Sequence, residues 1–546
     1  MTQRFVESSD GVRIAVYEQG NADGPALVLA HGYPDTHRLW DGIVPLLADR
    51  FRVICYDNRG AGDSAVPKRS SAYRTERLAD DFAAVIDAVS GERAVHVLAH
   101  DWGSAAVWEF LTRPGAANRV ASFTSVAGPR PDHVHRYLVD TLSRPYRPRR
   151  FLQGLRQLGQ LAVMAPRSVP VKMYRANAVR AIAGARTEDR DVGVDVPVQL
   201  IVNARDPYLR PSFYDEMSAW VPRLWRRDIR AGHRSPTSHP RVLARSVIQL
   251  VDHLDGAPAA RELLRAQVGR SRKPFGDTLV SVTGAGSGIG RETAVAFARD
   301  GADVVISDVD ETGLEETARR IVAEGAAAHS YTLDVADAAA VEAFAERVCA
   351  EHGVPDIVVN NAGVGHAGFF LDTPAEEFDR VLDINFGGVV NGCRSFAKRL
   401  VERGTGGHIV NVASMASYAP VNVMNAYCTS KAAVYMFSDC LRAELDTAGI
   451  GLTTICPGVV GTNIVDTTRF SLPEARSHDV ETVRGRARKG FGVRRYGPEK
   501  VAKAIVAAVK ANKAIRPVTP EAYFVYGAAH ALPPAMRSAA RGGSVM

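Results

Sequence analysis

Short strand-like runs alternate with helical stretches in two separate series along this chain, and this alternation restricts the fold more than any other feature. The runs are rich in β-branched residues and are bounded by turn signals. The first series lies at 26–30, 52–56, 94–99, 120–126 and 196–202, and the second at 278–282, 303–307, 356–360, 408–412 and 451–455. Strands separated by helices form mostly parallel sheets covered on both faces. The sequence therefore predicts an α/β protein with two such sheets.

The domain boundaries are predicted from where the alternation stops. It stops first at an Arg- and Pro-rich stretch, about 130–195, which we interpret as a helical cap inserted into the first sheet domain. It stops again at 256–274, a charged stretch that we interpret as a linker. We therefore expect a first domain at 1–255 and a second at 275–546. The 546-residue length, about three times that of one compact domain, agrees with this division.

The composition is typical of a folded intracellular protein. Hydrophobic residues make up 46% of the chain and charged residues 23%. The first residues lack the apolar core of a signal peptide, and no apolar run is long enough to cross a bilayer. The six cysteines are scattered without Cys-x-x-Cys spacing, which is typical of reduced thiols. We expect a cytoplasmic protein without a metal site.

The net charge of +7 is unevenly distributed. The stretch 131–190 has twelve Lys and Arg against four Asp and Glu, and 463–546 has fifteen against six. Two interpretations stay open: these are solvated helix faces, or they attract acidic lipid or a carboxylate-bearing substrate, which would allow peripheral membrane contact. We expect no nucleic-acid partner.

A carboxylate stands where one strand of the first series turns into a helix. The strand ending at Ala99 runs into His-Asp101-Trp-Gly and then into a helical stretch, the setting of a nucleophile elbow. Attack by a carboxylate on a tetrahedral carbon gives an ester that water can open, whereas a serine would leave an inert ether. The substrate carbon should therefore carry a strained or good leaving group, such as an epoxide or a halide.

Other segments supply the remaining parts of such a site. Backbone N–H groups of Tyr33 and Trp102 could form an oxyanion hole during ester hydrolysis. Asp206 and His233 come later in the chain, in the order nucleophile, acid, histidine. We predict that His233 activates water and that Asp206 orients His233.

Residues 1–255 resemble the α/β-hydrolase epoxide hydrolases. The matching motifs are His-Gly-Tyr-Pro at 31–34, Asp-Asn-Arg-Gly at 57–60, His-Asp-Trp-Gly at 100–103 and Met-Tyr-Arg-Ala-Asn at 173–177. The resemblance implies that Tyr174, in the cap, donates a proton to the epoxide oxygen. The family's second cap tyrosine is replaced by Gly159, for which Tyr137 or Tyr146 could substitute. Haloalkane dehalogenase chemistry is an alternative, because Trp102 could hold a halide.

A glycine-rich loop opens the second series. Thr-Gly-Ala-Gly-Ser-Gly-Ile-Gly at 283–290 comes after a strand and begins a helix, which lets the backbone approach a pyrophosphate. Asp308 ends the next strand, where it can bind the adenosine ribose and repel a 2′-phosphate. NAD is therefore favoured over NADP.

A proton-transfer set lies further along the same domain. Tyr427 and Lys431 are four residues apart in a helical stretch, so their side chains share one face. We expect the ammonium to lower the pKa of Tyr427, so that the phenol exchanges a proton with a substrate hydroxyl. Ser414, at a strand end, can hold the same oxygen. Cys428 is interpreted as a packing residue.

These features resemble the short-chain dehydrogenase/reductase family over about 275–515. The resemblance implies a doubly wound, Rossmann-type parallel sheet, Asn385 as fourth catalytic member, and a homo-oligomer formed through this domain. The implied cofactor-binding residues are Gly284, Gly286, Ser287, Gly288, Ile289, Gly290, Asp308, Asp334, Val335, Asn361, Ala362, Gly363, Tyr427, Lys431, Pro457, Gly458, Val460 and Thr462.

The domain order resembles a fusion of an epoxide hydrolase with a short-chain dehydrogenase known from mycobacteria and their relatives. We predict an NAD-dependent oxidoreductase fused to an epoxide-hydrolase-like domain, both acting on small lipophilic, including fatty-acyl, substrates. A diol from the first site would be a sensible substrate for the second. The alternative is a catalytically degenerate hydrolase domain that serves as a lipid-binding or docking module.

Overall fold

The chain divides into two compact units in a computed structural model. The first is Met1–Arg270 and the second is Ser271–Met546. The structure describes residues 1–130, 193–462, 464–471 and 496–542, with short pieces at 134, 139, 141–148, 151–152, 154–155, 176–177, 482 and 484–485.

The first unit is built on an eight-stranded sheet with the order β1-β2-β4-β3-β5-β6-β7-β8. The β1–β2 and β2–β4 pairs are antiparallel and the other pairs are parallel. Its strands are β1 Thr2–Glu7, β2 Arg13–Gly20, β3 Ala26–Ala30, β4 Arg52–Tyr56, β5 Val95–His100, β6 Val120–Val126, β7 Val198–Asn203 and β8 Leu224–Ile229. The central strands β5 and β7 are buried along their whole length, as their mainly apolar sequences predict.

Helices cover this sheet and complete its core. They are α1 Thr75–Ser90, α2 Trp102–Leu111, α3 Ser235–Ser238, α4 Pro240–Leu254 and α5 Arg261–Ala266. Val85 of α1 and Val107 of α2 lie in one buried cluster with strand residues such as Val28, while Val247 of α4 lies in another with Leu29. The described pieces of the predicted cap include helical residues.

Part of the predicted 256–274 linker is packed structure. Leu263 and Ala266 of α5 are buried in a cluster with Trp225 of β8 and Leu250 of α4. Glu262 accepts a hydrogen bond from the buried Arg227 at 3.4 Å. Three of the charged residues that indicated a linker belong to this short helix, and the division between units falls later, after Arg270.

The second unit is built on a seven-stranded parallel sheet with the order β11-β10-β9-β12-β14-β15-β17. A separate ladder joins β13 and β16 in parallel. The strands are β9 Leu279–Thr283, β10 Asp303–Asp308, β11 Ala328–Thr332, β12 Ile357–Asn360, β13 His366–Gly368, β14 Gly407–Val412, β15 Ile450–Cys456, β16 Arg469–Ser471 and β17 Ile515–Pro517. The strand order reverses between β9 and β12, and such a switch point leaves a ligand crevice at the carboxyl ends of the strands.

Helices lie on this second sheet as the doubly wound arrangement requires. They are α6 Gly288–Arg299, α7 Glu311–Ala323, α8 Ala338–His352, α9 Ala375–Leu382, α10 Gly388–Arg403, α11 Asn425–Leu445, α12 Ile464–Thr467, α13 Pro498–Lys510, α14 Pro520–Ala531 and α15 Pro533–Gly542. Phe297 of α6 and Ile505 of α13 share a buried cluster with Val282 of β9. Among the described residues, no helix is long and apolar enough to cross a membrane.

Candidate active sites

Asp101 occupies a sharp turn between β5 and α2. Its backbone has φ 50° and ψ −119°, a conformation that residues other than glycine rarely adopt. The neighbouring chain must come close: a Cβ at Gly103 would lie 2.3 Å from the carbonyl oxygen of Ala30, and one at Gly32 would lie 2.5 Å from the Cβ of Asp101. The predicted nucleophile elbow is therefore present, with the carboxylate at its tip.

Two backbone donors hold the Asp101 carboxylate. The N–H of Tyr33 donates to Oδ2 at 3.1 Å, and the N–H of Trp102 donates to the same carboxylate. These are the two groups predicted to form an oxyanion hole. They hold the carboxylate in place while its Oδ1 lies on the side of His233.

The predicted acid and histidine come together beside Asp101. His233 Nδ1 lies 2.8 Å from Oδ2 of Asp206, and His233 Nε2 lies 3.8 Å from Oδ1 of Asp101. The other oxygen of Asp206 accepts hydrogen bonds from the N–H groups of Tyr208 and Leu209 at 2.8 and 3.0 Å. Because an ionised Asp206 can only accept, it fixes Nδ1 of His233 as the protonated nitrogen and leaves Nε2 to act as base.

The charges in this site are coupled. Burial raises the pKa of Asp101, and the His233 charge and the two backbone donors only partly offset this. For His233, burial alone would lower the pKa, but the hydrogen bond to Asp206 and the charge of Asp101 outweigh it and raise the pKa. In the free enzyme, the Asp101 carboxylate and the protonated imidazole of His233 therefore stabilise each other.

Two supporting residues were not predicted. His100 Nε2 donates to the carbonyl oxygen of His233 at 2.9 Å, and burial lowers the His100 pKa to about 3, so this ring stays neutral. Asn203 Nδ2 donates to the carbonyl oxygen of Gly232 at 2.9 Å and to Ser235 Oγ at 3.0 Å. Both hold the loop that carries His233. The sequence feature that could have predicted these roles is the position of His100 and Asn203 at the ends of β5 and β7.

The 57–60 motif is structural. Arg59 is fully buried and binds Asp81 at 2.6 Å and Asp10 at 2.9 Å. Asp57 Oδ1 accepts a hydrogen bond from the N–H of His37 at 2.7 Å. These contacts tie the loop after β4 to its surroundings.

Tyr146 is the one proposed cap donor that lies within the described residues. Tyr174, Tyr137 and Gly159 lie outside the described residues. Tyr146 is 71% exposed, and the Arg147 guanidinium lies 5.9 Å from its ring centre. This exposure does not support Tyr146 as a substitute proton donor.

The glycine loop of the second unit runs from β9 into α6. Gly284 and Gly288 have φ 64° and 54°, and a Cβ at Gly284 would lie 2.6 Å from Cα of Ala362. Asn361 Nδ2 donates to the carbonyl oxygens of Thr283 and Gly284 at 3.0 and 3.1 Å. These bonds hold the loop in an open curve before the first turn of α6, the arrangement that dinucleotide binding requires.

Asp308 lies at the carboxyl end of β10, beside the glycine loop. Its Oδ2 accepts a hydrogen bond from the N–H of Gly286 at 2.8 Å, and its Oδ1 accepts one from the N–H of Asp310 at 3.1 Å. A cavity of about 590 Å³ opens here. It is lined by Gly286, Ser287, Gly288, Arg291, Asp310, Gly461, Thr462, Asp466 and Pro498. The residues present therefore fit a dinucleotide whose adenosine ribose meets a fixed carboxylate.

Other predicted cofactor residues follow strands β11 and β15 or lie in the first turn of α6. Val335 is buried against Gly388, whose Cβ would lie 2.6 Å from it, while Asp334 is exposed and accepts a hydrogen bond from the N–H of Ala336 at 2.9 Å. After β15, the carbonyl oxygen of Pro457 accepts a hydrogen bond from the N–H of Met415 at 2.8 Å. Val460 is buried, and Ile289 packs against the core.

The Gly458 loop has a partner that sequence reasoning missed. The N–H of Val459 donates to Oε1 of Glu521, at the start of α14, at 3.1 Å. A Cβ at Gly458 would lie 2.1 Å from Thr519 Oγ1. The loop at 457–462, which carries predicted cofactor-binding residues, therefore packs against the start of α14.

The proton-transfer set is assembled at the carboxyl end of β14. The side chains of Ser414 and Tyr427 are hydrogen-bonded. Lys431 is buried and donates from Nζ to the carbonyl oxygen of Val412 at 3.0 Å. Ser417 Oγ donates to the carbonyl oxygen of Lys431 at 2.8 Å, which ties the Ser414 turn to α11.

Asn385 lies in a π-helical turn, Asp383–Gly387, between α9 and α10. Its Oδ1 accepts from the N–H of Val364 at 2.8 Å, and its Nδ2 donates to the carbonyl oxygen of Val364 at 3.0 Å and to Ser430 Oγ at 3.1 Å. A Cβ at Gly363 would lie 2.9 Å from Asn385 Oδ1 and 3.3 Å from Lys431 Nζ. The predicted fourth member therefore lies close to Lys431.

The expected lowering of the Tyr427 pKa by Lys431 is wrong for this structure. Burial raises the Tyr427 pKa, and the hydrogen bond with Ser414 offsets this only in part. Burial also lowers the pKa of Lys431 to about 8. The physical reason is that both groups are desolvated and that the ammonium is bonded to a backbone carbonyl.

Comparisons with known proteins decide the family. "Probable oxidoreductase EphD" of Mycobacterium tuberculosis is 60% identical over 580 aligned residues, which cover 98% of this chain and 98% of that protein. The chain belongs to the EphD family. The EphD architecture agrees with two family models: alpha/beta hydrolase fold over residues 25–168 and short chain dehydrogenase over residues 278–471. The predicted fusion and both predicted folds are confirmed, and the chain is an enzyme of the oxidoreductase class joined to an α/β-hydrolase domain.

Two more distant relatives are similar to a smaller part of the chain. D-threitol dehydrogenase of Mycolicibacterium smegmatis is 40% identical over 183 residues, or 34% of this chain and 70% of that protein. A short-chain dehydrogenase/reductase from Burkholderia phymatum, solved in complex with NAD, is 30% identical with a TM-score of 0.43, and the match covers 47% of this chain and 92% of that chain.

Proposed function

We propose that the second unit is an NAD-dependent dehydrogenase or ketone reductase, and that the first opens an epoxide through an ester at Asp101. The substrates of both are proposed to be lipophilic, including fatty-acyl compounds. The observation that carries the proposal is the assembly of Ser414, Tyr427, Lys431 and Asn385 in the unit where Asp308 holds the glycine loop.

Each residue of the dehydrogenase set has a separate task. Bound NAD supplies the acceptor or donor of the hydride. Tyr427 takes the proton of the substrate hydroxyl during oxidation and returns it during reduction, while Ser414 holds the same oxygen. Lys431, whose Nζ donates to the carbonyl oxygen of Val412, can hold a ribose hydroxyl. Asn385 fixes the backbone of Val364 at the side of the site.

Asp308 supports NAD over NADP. Its carboxylate is fixed by the N–H groups of Gly286 and Asp310, so it cannot easily turn away from a ribose 2′ position. A 2′-phosphate would meet this negative charge at short range.

A substrate screen of two separate variants assigns alcohol oxidation and epoxide opening each to one site. Tyr427→Phe should abolish NADH production from lipophilic alcohols and leave epoxide opening intact, and Asp101→Asn should do the reverse. Binding of NADH and NADPH is measured alongside. Tighter binding of NADPH would contradict the role given to Asp308, and unchanged alcohol oxidation by Tyr427→Phe would contradict the whole dehydrogenase assignment.

The hydrolase reaction has two steps. Asp101 attacks an epoxide carbon, the C–O bond of the ring breaks, and the alkoxide is protonated by a cap group, for which Tyr174 is proposed. His233 Nε2 then takes a proton from water, which attacks the ester carbonyl. The N–H groups of Tyr33 and Trp102 stabilise the resulting oxyanion, and Asp206 stabilises the imidazolium.

Labelled water tests the ester. In a single turnover in H₂¹⁸O, one label should enter the Asp101 carboxylate, because water attacks the ester carbonyl rather than the substrate carbon. Release of halide from a haloalkane, with no diol from an epoxide, would favour dehalogenase chemistry. Tight lipid binding with no turnover of either would favour the degenerate docking module. Conversion of an epoxide plus NAD into a ketone by the intact protein tests whether the two reactions are consecutive.

A further inference from the structure

Helix α14 is attached to the catalytic region by one side. Tyr418, four residues after Ser414, donates from its hydroxyl to the carbonyl oxygen of Ala522 at 3.1 Å. The ring of Tyr418 also packs edge-to-face against that of Tyr526, with 5.3 Å between centres. These contacts hold α14, and with it α15, beside the dehydrogenase site.

The other side of this helical pair is apolar and exposed. Phe524 is 76% exposed, Leu532 61% and Tyr523 44%, and the next two residues, Pro533 and Pro534, are exposed as well. Three large apolar side chains within ten residues exceed the scattered exposure normal for a soluble surface. We call Tyr523, Phe524, Leu532, Pro533 and Pro534 the hairpin face.

Cations border the hairpin face. The guanidinium of Arg516 lies 5.7 Å from the ring centre of Tyr523, and among the described residues its Nε has no hydrogen-bond partner. Lys513 and Arg537 are close to this face in the sequence. Glu521 is the only acidic residue between 500 and 546, and its carboxylate is turned inward to the N–H of Val459. Lys513, Arg516 and Arg537 therefore outnumber the acidic residues of this stretch.

We propose that the hairpin face binds an anionic lipid bilayer. Aromatic and aliphatic side chains flanked by Arg and Lys match the boundary between acyl chains and acidic headgroups, where an arginine keeps its stem in apolar surroundings and its charge at phosphate. A second copy of the chain fits less well, because a symmetric contact through this face would bring the same cations together. The binding would hold the Ser414 turn next to the membrane surface.

Vesicle flotation of the full-length protein tests this proposal. The protein should float with vesicles of phosphatidylcholine and phosphatidylglycerol, and not with phosphatidylcholine alone. Phe524→Ser with Leu532→Ser should weaken the partition coefficient about tenfold or more, since two large apolar side chains no longer enter the interface. The matched control is Val309→Ser with Val322→Ser, at residues 66% and 61% exposed elsewhere in the same unit, which should bind as the wild type does.

A charge variant tests the electrostatic part of the binding. Arg516→Gln with Arg537→Gln alters no large apolar side chain, and it should weaken binding and reduce its dependence on salt. Failure of the wild type to float with anionic vesicles, or equal binding of hairpin and control variants, overturns the proposal. A dimer in sedimentation that Phe524→Ser with Leu532→Ser splits into monomers would identify a second copy as the occupant, and would overturn it too. None of these readouts depends on substrate turnover.

Discussion

Replacing Asp206 by Asn should trap the ester at Asp101. The wild-type carboxylate accepts three hydrogen bonds, from His233 Nδ1 at 2.8 Å and from the N–H groups of Tyr208 and Leu209. An Asn side chain has one oxygen, which the two backbone donors would occupy, so its NH₂ would face Nδ1. His233 must then carry its proton on Nε2, where it cannot accept one from water.

The size of the effect can be worked out from the lost bond and the wrong tautomer. A hydrogen bond to a charged group contributes about 1.5–3 kcal/mol, which is roughly 10- to 150-fold in rate. An inverted tautomer in a comparable histidine–carboxylate pair costs about 10⁴-fold. We therefore expect Asp206→Asn to slow the ester-opening step by a factor between roughly 10 and 10⁴. Attack by Asp101 needs no base and should be slowed far less.

Mass spectrometry of the intact protein is the assay. After mixing with a lipophilic epoxide, Asp206→Asn should gain the mass of one substrate, and the label should map to the peptide containing Asp101. Asp87→Asn is the control, because this carboxylate is exposed on α1 and pairs with Arg119. Wild-type turnover by Asp206→Asn, or slow turnover without any adduct, would refute this account of His233.

Three further results are expected. Gly32→Ala should abolish the hydrolase reaction, because its Cβ would lie 2.7 Å from Oδ2 of Asp101, whereas Gly42→Ala, with no atom nearer than 3.5 Å, should remain active; diol formation measures both. The imidazole of His233 in the free enzyme should titrate with a midpoint above 6.5 when followed by NMR, because burial lowers the His233 pKa less than Asp206 and Asp101 raise it; a midpoint below 6.5 contradicts this. Lys431→Met should abolish dehydrogenase activity yet raise the free energy of unfolding near pH 7 by ~1–3 kcal/mol, because burial lowers the Lys431 pKa from 10.5 to about 8. Denaturant titrations measure this gain in stability, which should shrink as the pH rises from 8 toward 10.5. A gain that stays constant over this pH range would contradict the prediction.

The sequence predicts most strands that burial makes apolar, although β2, with four buried residues at 14–17, was missed. The predicted strands at 26–30, 52–56 and 120–126 match the observed bounds. Strand β1 is exposed along most of its length, and β8 carries two arginines, so neither has the apolar signal of a central strand. Edge strands are paired by backbone bonds rather than by side-chain burial, which is why they were missed.

The candidate sites were predictable where a residue's type determines its chemistry. Asp101, Asp206 and His233 were identified because a carboxylate at an elbow requires a histidine and an acid. His100 and Asn203 act through backbone carbonyls, and any hydrogen-bond donor of the right shape could do so. The direction in which the Tyr427 pKa shifts depends on burial, and the four-residue spacing between Tyr427 and Lys431 carries no information about burial.

The π-helical turn that carries Asn385 uses one residue more than an α-helix needs for the same path. Removing one residue there would restore regular hydrogen bonding from α9 into α10. It would also rotate α9 relative to α10 by about 100°, the angle of one helical residue. Asn385 would then leave the backbone of Val364. A shortened chain should therefore have a better helix and a poorer dehydrogenase, which makes this turn a place where selection for stability and selection for catalysis oppose each other.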